Sequence, residues 1–187
     1  MISYSDLKRG VRILLKNQPF EIIESSPMFK GRGQSVLQAK VKNLITGETF
    51  AQTFRPSDSF EEADLEKEKL KFIYSGRGKC IFCKENDPSK RLELEERKAG
   101  KTIQFLKTDQ IVNGLFFEGS LVAILLPIKV QLRIENTPPA LKGQSASGGT
   151  KPATLESGAS VNVPLFINND DIVEINTETG EYTRRIS

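Results

Sequence analysis

Two short runs in this sequence carry residue types whose spacing could do chemistry. Cys80-Ile81-Phe82-Cys83 is a C-x-x-C, the spacing of zinc sites and of dithiol redox pairs. A zinc site wants four ligands, and the chain has only these two cysteines and no histidine. A redox pair wants its first cysteine at a helix N-terminus, whereas this one lies in an apolar run that reads as a strand, where positions i and i+3 face opposite sides. Two structural cysteines, with no metal and no cofactor, is the expectation. The second run is Pro27-Met28-Phe29-Lys30-Gly31-Arg32-Gly33-Gln34. It falls between two strand patterns and so reads as the tip of a hairpin. Gly31 and Gly33 bracket Arg32, which makes the tip narrow and puts one long cation at its end, with Lys30 two residues away. A guanidinium on such a protrusion can enter a crevice and hold phosphate or ribose oxygens through paired hydrogen bonds. An ordinary solvated turn would use the same residues.

Other chemistry is excluded more simply. Without histidine there is no Ser-His-Asp or Cys-His nucleophilic site. The run Glu93, Glu95, Glu96, Arg97, Lys98 and Lys101 mixes both charges and reads as a solvated face. Gly143-Gln144-Ser145-Ala146-Ser147-Gly148-Gly149 does not run from a strand into a helix, so it is no phosphate-cradling loop. It reads as a flexible loop that could order on RNA. An enzyme is not expected; an RNA-contacting adaptor is.

The elements that position these residues are strands. Leu37, Ala39 and Val41 alternate with Gln38, Lys40 and Lys42, and Val130, Leu132 and Ile134 alternate with Gln131, Arg133 and Glu135. Val11–Leu15 and Phe20–Ile23 flank Lys16-Asn17-Gln18-Pro19 and read with it as a hairpin. Gly47, Gly76, Gly78, Gly114, Gly119 and Gly180 stand between apolar runs as turn residues. The only helical stretch expected is about Leu94 to Leu106, weakened by Gly100. The longest apolar run is Leu121–Leu126, far short of the roughly 20 residues that span a bilayer. The N-terminus has no signal-peptide pattern, so a cytoplasmic protein without membrane contact is expected.

Three segments emerge: residues 1–66, 67–127 and 128–187, the last with a long loop from Thr137 to Thr150. The expectation is three small β-barrels, with a two-domain reading that fuses the last two as its competitor. Charge is uneven. Residues 1–57 carry 9 basic against 4 acidic residues, 67–127 carry 12 against 8, and 128–187 carry 6 against 7. A positive field over the first two segments suits a phosphate backbone.

A family resemblance rests on several motifs in order. Lys151-Pro152-Ala153-Thr154-Leu155-Glu156-Ser157-Gly158 through Val163-Pro164-Leu165-Phe166-Ile167 resembles the signature of bacterial translation elongation factor P. Leu7-Lys8-Arg9-Gly10, Val41–Gly47 and Gln52-Thr53-Phe54-Arg55 resemble that family's first domain, and Gly180-Glu181-Tyr182 with Arg184 resembles its closing hairpin. The resemblance implies an all-β fold: an SH3-like (KOW-type) barrel at residues 1–66 and two OB-fold barrels at 67–127 and 128–187, in an L that mimics tRNA. It also implies a monomeric factor that binds the ribosome between the peptidyl-tRNA and exit sites. Such a factor promotes peptide-bond formation at consecutive prolines without being the catalyst. Arg32 would reach the CCA end of the P-site tRNA, framed by Lys30, Gly31, Gly33 and Gln34. In the family this position is a lysine or an arginine extended by a modifying enzyme. Here Gly33 replaces the asparagine usual beside a rhamnosylated arginine, so a modified and a bare Arg32 both stay open. The implied RNA-backbone contacts are Lys40, Lys42, Arg55, Gly143, Gln144 and Lys151. Two departures stand out: Gly143-Gln144-Ser145 replaces Gly-Asp-Thr, and Asp170 stands where the signature ends in glycine. The alternatives are the elongation factor P-like paralogue, which shares Lys-Pro-Ala-Thr-Leu, and a general OB-fold RNA-binding protein.

Overall fold

The computed structural model describes residues 1–29, 35–139 and 149–187. The chain is nearly all β, as the period-two patterns require. After a two-residue strand β1 (Ile2–Ser3), the strands β2 (Arg12–Leu15), β3 (Gln18–Phe29), β4 (Ser35–Asn43) and β5 (Thr49–Phe54) form one antiparallel meander in chain order. The short β6 (Ser59–Phe60) pairs back with β1. A second sheet holds β7 (Glu66–Gly76), β8 (Lys79–Lys84), β9 (Asp87–Glu95), β10 (Ile111–Phe117) and β11 (Ser120–Leu125), in the order β11-β10-β7-β8-β9. The third sheet orders β12 (Lys129–Asn136), β13 (Thr150–Leu155), β14 (Ser160–Pro164), β15 (Ile172–Asn176) and β16 (Tyr182–Arg185) as β14-β13-β12-β15-β16. Each of these sheets therefore comes from one continuous stretch of chain.

Side-chain alternation decides which face of each strand is buried. In β4, Leu37, Ala39 and Val41 are buried while Gln38 and Lys40 are exposed. In β12, Val130, Leu132 and Ile134 are buried while Lys129, Gln131 and Arg133 are exposed. β8 departs from alternation, with Cys80, Ile81, Phe82 and Cys83 all buried. That is the pattern of a strand covered on both faces. The turn between β2 and β3 holds Lys16 and Asn17 at φ of 52° and 61°. Two successive left-handed residues make the turn whose twist matches a tight hairpin.

Two expectations change. The stretch from Leu94 to Leu106 is not one helix. Leu94 and Glu95 end β9, a single turn α1 spans Glu96–Ala99, and a 3-10 turn follows over Lys101–Phe105. The break is Gly100, at φ 78° and ψ −178°, a conformation that no helix can include and that L residues avoid. Nor are all the glycines turns. Gly76 is the last residue of β7, and Gly114 lies buried inside β10.

The chain divides into two compact units, Met1–Glu68 with Leu115–Ala123, and Lys69–Gly114 with Ile124–Ser187. In the first, Leu7, Ile13, Phe20, Ile22, Leu37, Val41 and Phe54 build a core. In the second, β12 to β15 supply a core of Val130, Leu132, Ile134, Leu155, Val163 and Val173, and the 3-10 turn adds Phe105 to it. Among the described residues no helix is long and apolar enough to cross a membrane.

Candidate nucleic-acid interface

The hairpin β3–β4 is the element built to reach outward. Its strands pair from Phe20↔Asn43 to Phe29↔Ser35, with a register shift between Ile22 and Glu24 that adds local bend and twist. The third strand, β5, runs beside β4 only from Lys42↔Thr49 to Leu37↔Phe54. The row Pro27, Leu37, Phe54 is therefore the last to be three strands wide. Met28↔Val36 and Phe29↔Ser35 continue as a two-stranded arm. Burial follows this geometry: Ile22 is fully buried, whereas Ser26 to Phe29 are all exposed. The proposed tip residues Lys30, Gly31, Arg32, Gly33 and Gln34 follow directly in sequence and lie outside the described residues. The loop residues Gly143 and Gln144 also lie outside them.

The remaining candidates divide by environment. Lys40 is exposed on β4, opposite Glu24 on one side and Ala51 on the other. It lines a groove of about 550 Å³ together with Glu24, Ser26, Gln38 and Phe50. Lys42 is half-buried across from Glu21, which also takes the Arg12 guanidinium at 3.0 Å. Burial lowers the Lys42 ammonium from its ordinary pKa, and the Glu21 charge works the other way. Arg55 is exposed just past β5, in a turn where its N–H donates to Asp58 Oδ2 at 2.8 Å and its carbonyl accepts from the Asp58 N–H at 2.9 Å. Lys151 is different. It is buried on β13, and its ammonium donates to the Pro138 carbonyl oxygen at 2.8 Å. A structural role accounts for that charge. The structure thus gathers Lys40 and Lys42 on the arm-bearing sheet and leaves Lys151 inside the third sheet.

Two features escaped the reading of the sequence. Phe29, at the end of the arm, is 78% exposed. Its signal was an aromatic residue directly before Lys30 in a hairpin tip. The other is a charged strip on the third sheet. Glu174, buried on β15, accepts hydrogen bonds from Lys129 Nζ at 3.0 Å and Arg184 Nη2 at 3.2 Å. Only register reveals it, because these residues lie far apart in the chain and Gln131↔Glu174 and Glu174↔Arg184 pair across three strands.

Nothing in the C-x-x-C is poised for reaction. Both cysteines are free and buried, and burial, helped by the Glu96 charge, pushes the Cys80 thiol up to about 11. A thiol held that high stays protonated and unreactive at neutral pH. The charges around α1 pair with each other: Lys79 with Glu93 at 2.6 Å, and Arg97 and Lys98 with Glu95 at 2.6 and 3.1 Å.

Comparison with known proteins places this architecture. The family model for the elongation factor P KOW-like domain matches residues 3–60, and that for elongation factor P, C-terminal, matches residues 130–185. Elongation factor P of Acetivibrio thermocellus is 38% identical over 186 residues, covering 100% of both chains. That of Syntrophomonas wolfei is 36% identical with the same coverage. The solved structure of eukaryotic translation initiation factor 5A from Methanococcus jannaschii overlaps 66% of this chain and 94% of its own, at 17% identity and a TM-score of 0.42. That partial overlap decides nothing about activity. The full-length identities and the two matched domains do: this chain belongs to the elongation factor P family of translation elongation factors.

Proposed function

We propose that this chain binds the ribosome between the peptidyl-tRNA and exit sites and steadies the CCA end of the P-site tRNA with Arg32. Peptide-bond formation at consecutive prolines is thereby restored. The observation that carries the reading is the hairpin arm. β3 and β4 run past the end of β5, so residues 30–34 follow a projection only two strands wide. Arg32 stays charged at any cellular pH, so it acts by position and field rather than by proton transfer. Proline is a rigid, poor participant in peptide-bond formation. Holding the P-site end in a near-attack geometry lowers the barrier by several kcal/mol in favourable cases, on the order of the effect known for well-oriented reactants. The protein needs no cofactor for this, and the ribosome remains the catalyst.

The reading extends to the rest of the chain. Segments 1–66, 67–127 and 128–187 serve as an SH3-like barrel and two OB-fold barrels of a cytoplasmic monomer. Lys40, Lys42 and Arg55 contact RNA backbone from the first, and Gly143 and Gln144 from the last. A modifying enzyme acting on Arg32 would extend its reach; intact mass of protein purified from its native host reads that directly. The deciding experiment is translation of a Pro-Pro-Pro reporter. Arg32→Ala should lose the rescue with unchanged thermal unfolding. Full rescue by Arg32→Ala sinks the proposal.

A further inference from the structure

We infer that Phe29 is a stacking platform for an unpaired RNA base at the foot of the cationic tip. The inference deepens the function proposed above and rests on it. Strand period puts Phe29 on the same side of β3 as Pro27, whose cross-strand neighbours Leu37 and Phe54 are buried at 9% and 2% exposure. Phe29 is two rows further out, opposite Ser35 and beyond the end of β5, and it is 78% exposed. Elsewhere in this unit the aromatic rings find each other. Phe20 meets Phe50 edge-on at 5.7 Å, and Phe54 meets Phe60 at 4.9 Å. The Phe29 ring is presented to solvent.

Charge near Phe29 in the sequence selects the partner. Lys30 and Arg32 follow it within three residues, and no carboxylate occurs from Ser25 to Gly47. An apolar protein groove would need no such field. A polymer with anionic linkages and flat apolar faces uses both features, and that polymer is RNA. The base must be unpaired, because a paired base in an A-form helix keeps its faces within the stack. Stacking of this kind tolerates any base, since each offers a π-face. It would fix the arm's end against RNA while the cation beyond it reaches phosphate or ribose.

The partner in the test is the ribosome carrying P-site tRNA with an empty exit site. Stacking predicts that Phe29→Trp and Phe29→Tyr bind within about threefold of the wild type. Phe29→Ala and Phe29→Leu should each lose affinity on the order of tenfold. A Phe29→Leu variant that binds like the wild type overturns the inference, because apolar bulk would then suffice. With p-azidophenylalanine at position 29, cross-links to ribosomal or transfer RNA support it, and cross-links to ribosomal protein alone overturn it. The two readings fail separately. If Arg32→Ala loses polyproline synthesis while Phe29→Ala binds and acts normally, only the stacking inference falls. If Arg32→Ala is silent, the proposed function falls and takes the stacking inference with it.

Discussion

Lys151, buried on β13, donates its ammonium to the backbone carbonyl oxygen of Pro138 at 2.8 Å. Two further bonds secure the same point: the Thr137 hydroxyl donates to the Pro152 carbonyl at 3.0 Å, and the Thr137 N–H donates to Asn169 Oδ1 at 2.8 Å. Together they fasten the chain where it leaves β12, against the first residues of β13. In a conspicuous sequence motif, the lysine is therefore a structural tie within the third sheet.

Lys151→Met keeps the stem's length and removes the donor. It leaves the Pro138 carbonyl short of a partner, which costs about 1–3 kcal/mol when the group stays out of water. A urea midpoint lowered accordingly is expected, and an unchanged midpoint would show that the bond contributes nothing.

Glu174 gives the third sheet a dependence on pH. Hydrogen bonds from Lys129, then from Arg184, hold its carboxyl below the ordinary value of 4.5, against the opposing effect of burial. Because the folded value is depressed, the stabilisation is complete above the unfolded pKa and is lost as pH falls through the folded one. Glu174→Gln should therefore be less stable than the wild type at pH 7, and the gap should close on acidification below the ordinary carboxylate range. Thermal unfolding of both proteins between neutral and acid pH tests this; a gap that is constant with pH would rule the linkage out.

Gly100 separates α1 from the 3-10 turn, and a Cβ built there meets nothing within 4 Å. The cost of Gly100→Ala is then purely backbone strain, about 1–3 kcal/mol for a conformation essentially reserved to glycine. Because that turn delivers Phe105 to the core of the third sheet, the loss should appear as a lower global melting temperature. A variant as stable as the wild type would mean that the φ of 78° is not required.

How much of this was legible beforehand depends on the range over which each feature is decided. Leu37-Ala39-Val41 and Val130-Leu132-Ile134 announce half-buried strands because alternation is a property of neighbours in sequence. The hairpin after Leu15 and the all-β class follow from equally local rules, although the turn is only Lys16-Asn17, with Gln18 and Pro19 already in β3. The segment Leu94–Leu106 misled, because its helical composition is local while the pairing of Leu94 and Glu95 with β8 is not. The turn-like glycine at 114 misled for the same reason: a place between β7 and β11 holds it in extended backbone.

By itself, the order of residues determined the strand content, the chain's place in its family, and a 23-residue stretch rich in positive charge and free of carboxylates. Those are sums and periods over contiguous residues. Only the tertiary structure decided that β5 stops short of the arm and leaves Phe29 in solvent, that Lys151 turns inward, and that Glu174 lies under two cations. Each of these depends on which strand lies beside which and on where a neighbour ends, and hydrogen-bond register sets both only once the sheets have formed.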